Sequence, residues 1–181
     1  MFVPPQYTWM TNTISDLAAQ GLPNRWMMQL GFVGFGALLT GALVHKFVQT
    51  KQVSVADILI LLYGVCVLSS GFFSAKPFLE GVSYSAQEHQ LHSLFAQAAG
   101  VLFSIAILAR LISSRNAQER TFHALFLILI IGTSMLFGLA KGGDLGVGMG
   151  VIQRVLYALG FFWLLVSQSW SSEVSRTRKP A

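Results

Sequence analysis

The run TFHALFLILIIGTSMLFGLA, residues 121–140, is twenty residues long and holds no Asp, Glu, Lys or Arg. A helix rises about 1.5 Å per residue, so this run reaches across the roughly 30 Å hydrocarbon core of a bilayer. Four more stretches near 26–47, 57–75, 89–110 and 147–169 share its length and scarcity of charge. The shortest has 18 residues free of acidic and basic side chains between Asp57 and Lys76, and Arg154 interrupts the last. Such runs point to lipid rather than to an aqueous core. Composition agrees: 54% of the 181 residues are apolar and 10% are charged, against about a quarter charged in a soluble domain.

The expected fold is therefore an all-α, polytopic transmembrane bundle of five spans, preceded by a short interfacial helix. The chain divides into an extracytoplasmic N-terminal segment (residues 1–25), the bundle (26–170) and a basic cytoplasmic tail (171–181). A lone cysteine, Cys66, lies inside an apolar run, which rules out an intrachain disulfide and a thiolate zinc cluster. Met1 to Met10 has no basic stretch leading into an apolar segment, so no cleavable signal peptide is expected and the first span directs insertion. Trp26, Trp163 and Trp170, with Tyr84, suit the headgroup boundary, although Trp163 equally suits the interior. Thr13-Ile14-Ser15-Asp16 has capping-box spacing, closed by Asp. It predicts a helix of about two turns ending at Gly21, with Ile14, Leu17 and Ala18 on its apolar side.

Charge sets the orientation. Lys46 and Lys51 lie in the first loop, Arg110, Arg115 and Arg120 in the third, and Arg176, Arg178 and Lys179 in the tail. The opposite side holds Arg25, Lys76 and Lys141. The positive-inside rule puts the richer side in the cytoplasm, the N-terminus outside and the C-terminus inside. The net charge of +5 is a consequence of topology, and basic residues scattered over loop ends do not make a nucleic-acid surface.

Thr13-Ile14-Ser15-Asp16-Leu17, Pro23-Asn24 and the glycine-spaced span with Gly31, Gly34 and Gly36 resemble the opening of the bacterial and archaeal domain-of-unknown-function family numbered 998. The second and third spans, the loop carrying Glu80, and His92 at a helix start are similar too. The resemblance covers nearly the whole chain and implies a prokaryotic integral membrane protein of this topology, with no established activity. The resemblance implies that members usually carry one more span before the Ser-Asp-Leu motif than the five expected here. They also tend to have an acid in an FPxD-like turn after the second span, where this chain has Phe73-Ser74-Ala75-Lys76.

The candidate site is a polar cluster of Asp16, Glu80, Glu88, His89, His92, Gln97 and Arg154, joined on the outer side by Lys76, Lys141 and Asp144. Helical steps of three and four put His89, Ser93, Gln97, Gly100 and Ser104 in one sector, which should face other helices or water; the bland reading is a hydrogen-bonded packing seam. Imidazoles at i and i+3 make His89 and His92 the candidate metal ligands, but HExxH is absent and Glu88 points to another side. No metal and no cofactor is therefore expected. His45 and His123, at cytoplasmic span ends, read as interfacial rather than haem-binding. Gly142-Gly143-Asp144-Leu145 reads as a turn, not a phosphate loop, and Ser85 or Ser93 with His89 and Asp16 lacks a nucleophile elbow. Arg154 either snorkels or turns inward to an acid, Asp16 first and Glu80 second.

Two functions from different classes remain. The first is a non-enzymatic membrane protein whose outward-facing vestibule binds a lipid headgroup, small ligand, ion or membrane protein partner. The alternative is a membrane-embedded metal-dependent hydrolase acting near the extracytoplasmic surface, with His89 and His92 holding the metal and Glu80 or Glu88 as base. The charge asymmetry makes a direct prediction. A reporter active only in the cytoplasm should be active when fused after Ala181, and silence from a well-expressed fusion would reverse the orientation.

Overall fold

The computed structural model describes residues 3–142 and 148–177. Five helices are long and apolar enough to cross a membrane, namely α1 (Arg25–Thr50), α2 (Val55–Phe72), α3 (Ala86–Ser113), α4 (Ala117–Gly142) and α5 (Met149–Thr177). Most extend beyond the runs expected from hydropathy, because a helix continues past the hydrocarbon edge until a cap or a turn stops it. Ser54 caps α2 by accepting the Asp57 amide at 3.1 Å, and Ser85 caps α3 by accepting the Glu88 amide at 3.3 Å. Lys51 ends α1 in the left-handed region, φ 51°, with its amide on the Phe47 carbonyl.

Ahead of α1 the sequence pattern is only partly realised. The capping box forms, with Thr13 Oγ1 accepting the Asp16 amide at 3.1 Å and Asp16 Oδ2 accepting the Thr13 amide at 2.8 Å. In place of the expected two-turn helix the box opens a four-residue 3-10 turn, Ser15–Ala18. Ala19 then extends and pairs with Ala75 in an isolated parallel bridge, where the Gln20 amide donates to the Ala75 carbonyl at 2.9 Å. That tertiary bond replaces the next helical one. The 3-10 turn packs on α1, with Ala18 and Ala19 fully buried.

Within the bundle α2 packs between α1 and α3, and α4 lies against α3 and α5. Phe35 of α1 meets Phe161 of α5 edge-on at 5.2 Å, closing the arrangement. The core is one cluster of Leu43, Ile60, Phe103, Ala106, Ile107, Phe126, Ile130, Trp163 and Leu164. Trp163 is 0% exposed, so of its two expected places it takes the interior, while Trp26 and Tyr84 stay exposed; the Trp170 side chain lies outside the described residues. Away from this core the spans present large apolar residues outward, Leu38 at 77% exposure among them, as lipid-facing helices do.

The glycines of α1 divide sharply in what surrounds them. Gly36 is buried, and a Cβ there would sit 2.5 Å from the Leu68 amide nitrogen and 2.6 Å from the Gly64 carbonyl oxygen. Across the seam, a Cβ on Gly71 would stand 2.9 Å from the Val33 amide nitrogen. Gly34 and Gly41 have open space around them. The α1–α2 approach therefore rests on Gly36, Gly64 and Gly71, two of them on α2. Gly36→Ala should destabilise the detergent-solubilised protein by about 1–3 kcal/mol through overpacking, with Gly41→Ala neutral or slightly stabilising. Unfolding in mixed micelles measures both, and equal effects would refute a backbone-to-backbone seam at Gly36.

Candidate functional site

Polar side chains gather at the two ends of the bundle. At the N-terminal end they tie loops to helices. Gln20 spans two segments: its Nε2 donates to the Ser85 carbonyl at 3.0 Å and its Oε1 accepts the Ser85 amide at 2.7 Å. Glu88 Oε1 accepts the Ser74 amide at 2.9 Å, and Gln29 Nε2 donates to Ser74 Oγ at 3.1 Å. His89 Nδ1 accepts the Lys76 amide at 3.2 Å. His92 Nδ1 lies 2.9 Å from the Ser70 carbonyl and 3.1 Å from the Phe73 carbonyl. Carbonyls only accept, so His92 carries its proton on Nδ1, whereas neutral His89 carries its own on Nε2. The two histidines thus play opposite parts in holding one loop.

Arg154 sits on the same end and does not pair with an acid among the described residues. Its Nη1 donates to the carbonyls of Trp9 at 2.7 Å, Gly150 at 2.9 Å and Asn12 at 3.1 Å, and its Nη2 donates to the Tyr7 hydroxyl at 2.6 Å. The expected Asp16 pairing fails because that carboxylate is already engaged in its own capping box, with Asn12 Nδ2 also 3.5 Å away. Glu80 is exposed and forms no ion pair there. The expected docking of the N-terminal segment nevertheless occurs, by a different chemistry: a planar guanidinium gathers carbonyls from a segment that has no helix to satisfy them. Gly148 and Gly150 let the backbone of Met10 and Asn12 approach closely, and Gln153 Oε1 accepts the Ile14 amide at 2.6 Å.

The expected stripe on α3 splits. Its outer members, His89 and the flanking His92 and Glu88, turn onto the α2–α3 loop, but Gln97 and Gly100 are exposed on the outer surface of the bundle instead of facing another helix. Among the described residues no three His, Cys, Asp or Glu side chains gather as metal ligands. Asp144 lies outside the described residues, as does most of the Gly142–Leu145 turn.

The opposite end holds an assembly that sequence reasoning missed. Asp57, in the first turn of α2, is buried, and its Oδ1 accepts from Lys46 Nζ of α1 at 3.0 Å and from Arg110 Nη2 of α3 at 2.8 Å. These are the ion pairs found among the described residues. Nearby helices meet at His123, which is buried rather than interfacial, its Nδ1 accepting from the Trp163 indole at 3.0 Å. One signal for Asp57 is legible in the sequence: it is an acid at a span edge on the side that collects the basic residues. Asp57→Ala should cost about 3 kcal/mol, near the low end for a broken buried pair because both cations keep some contact with water. Arg110→Ala should cost more than Lys46→Ala, since the arginine side chain is 17% exposed and the lysine 29%. Denaturant midpoints in mixed micelles test this ranking, and an Asp57→Ala protein within about 1 kcal/mol of the parent would contradict it.

A family model described as "Protein of unknown function (DUF998)" matches residues 1–169. No curated protein and no solved structure matches the chain.

Proposed function

The chain belongs to that family, whose description assigns no activity, and we propose from its own geometry that it is a non-enzymatic membrane protein binding phospholipid headgroups at its N-terminal cap. One observation supports this reading above others: Glu88, Arg154 and the two histidines of the cap are spent on the chain's own backbone, while large aromatic and apolar side chains stand exposed along with Lys76 and Glu80. Glu88, His89, His92 and Arg154 each hold a loop carbonyl or amide. Trp9 is 60% exposed and Trp26 53%, with Met10, Met27 and Tyr84 exposed beside them in the structure. Indole and phenol rings favour the headgroup boundary, where an apolar body and a polar tip are both satisfied. In this reading the cap lies on the extracytoplasmic side. A hydrolase would need His89 and His92 released from the loop that they hold, at a cost to the cap itself.

A delipidated preparation tests the proposal. Titration with dihexanoylphosphatidylcholine or its phosphatidylglycerol counterpart, below their micellar concentrations, should raise the unfolding midpoint saturably by a few degrees, because a ligand at ten times its Kd adds about 1.4 kcal/mol. Replacing Trp9 and Trp26 together by Ala should remove the rise without lowering the lipid-free midpoint by more than about 1 kcal/mol, the usual scale for exposed positions. A rise that survives this double change, or no saturable rise at all, would refute the proposal. Appearance of free fatty acid or free headgroup during the titration would turn the reading toward hydrolysis.

A further inference from the structure

Along its outward face α3 presents Leu94, Gln97, Val101, Ile105 and Leu108, all exposed. Gln97 interrupts an otherwise apolar band. It stands eight residues past His89, or about 12 Å along the helix, and thirteen residues, or about 20 Å, short of Arg110. That places its amide inside the hydrocarbon layer, beyond reach of either interface for so short a side chain. Among the described residues it has no hydrogen-bond partner. Two serines further along α3 behave differently: Ser104 Oγ donates to the Gly100 carbonyl of its own helix at 2.9 Å, and Ser113 Oγ to the Ala109 carbonyl at 2.8 Å.

A primary amide carries two donors and an acceptor, and lipid tails satisfy none of them. The amide is also its own complement. Two glutamines facing each other across a two-fold axis each donate one N–H to the other's oxygen, which is the self-complementary geometry that a symmetric dimer imposes. Gly100, one turn along the same face, has nothing within 4 Å of where a Cβ would be, so a second helix can approach closely beside the amide. We propose that two copies of this chain pair along this face of α3, with reciprocal hydrogen bonds between their Gln97 amides. The proposal is independent of headgroup binding, which concerns the cap.

Cysteine cross-linking in native membranes tests it, in a Cys66→Ala background that removes the native thiol. Val101→Cys, next along the face, should give a disulfide-linked species of twice the chain mass on mild oxidation. Ile128→Cys, on the exposed face of α4, should not. Adding Gln97→Leu should weaken association roughly five- to thirty-fold, as expected for loss of an interhelical hydrogen-bond pair, while Gln97→Asn, which keeps an amide, should retain most of the dimer. The site faces lipid, so Gln97→Leu leaves the fold of each copy intact, and an unchanged unfolding midpoint at high dilution in detergent checks this. Three results would overturn the proposal: a chain that stays monomeric by mass in nanodiscs, a V101C cross-link indifferent to Gln97→Leu, or a V101C adduct with a different protein.

Discussion

Hydrocarbon offers no hydrogen bonds, and that constraint organises nearly every polar contact in this chain. The backbone answers with five helices. Side chains within the spans answer locally, as where Thr133 Oγ1 donates to the Leu129 carbonyl at 2.7 Å, or across helices, as where the Trp163 indole meets His123. Asp57 is the extreme case. A carboxylate this deeply buried persists because two cations reach the same oxygen, and in doing so it draws the ends of α1, α2 and α3 together. Thr40 Oγ1 and Arg110 Nε are the buried side-chain atoms left without a partner among the described residues, so unmet demand inside the bundle is small. On the outside, the Gln97 amide is left without a partner among the described residues.

The two ends of the bundle solve different problems. At the charged end, a compact ion cluster fixes three helix termini whose connections are short. At the other end, a segment of more than twenty residues precedes α1 with a single 3-10 turn in it, so many of its carbonyls and amides have no regular partner. Arg154 and Gln153 from α5 satisfy several of these groups, and the Ala75 carbonyl of the α2–α3 loop accepts the Gln20 amide. Among the described residues Arg154 is not half of a salt bridge. Its guanidinium takes the place of the hydrogen bonds that a helix would otherwise supply.

Local patterns in the sequence translate directly into structure. The capping box at Thr13 and Asp16 forms with both expected bonds, and the five spans stand where hydropathy places them. Sequence is a poorer guide where a side chain has several acceptable partners. Asp16 suits Arg154 by charge, yet its oxygen is committed to the Thr13 amide three residues away. His123 reads as interfacial because its position along the helix is near an end; that α5 brings Trp163 beside it is not legible from α4 alone. Of four glycines on α1, the one at the seam is distinguishable from the others only once Gly64 and Leu68 lie across from it.

What the sequence determined by itself is the class of fold, the five crossings and the grouping of basic residues at one end, because these depend on summed apolar length and on loop charge, which are additive along the chain. Partner choice was decided only in the tertiary structure: which carbonyls Arg154 gathers, which cations Asp57 shares, which glycines touch backbone and which side of α3 leaves Gln97 uncovered. Such choices turn on distances of a few tenths of an ångström between residues far apart in sequence. No one-dimensional period carries that information.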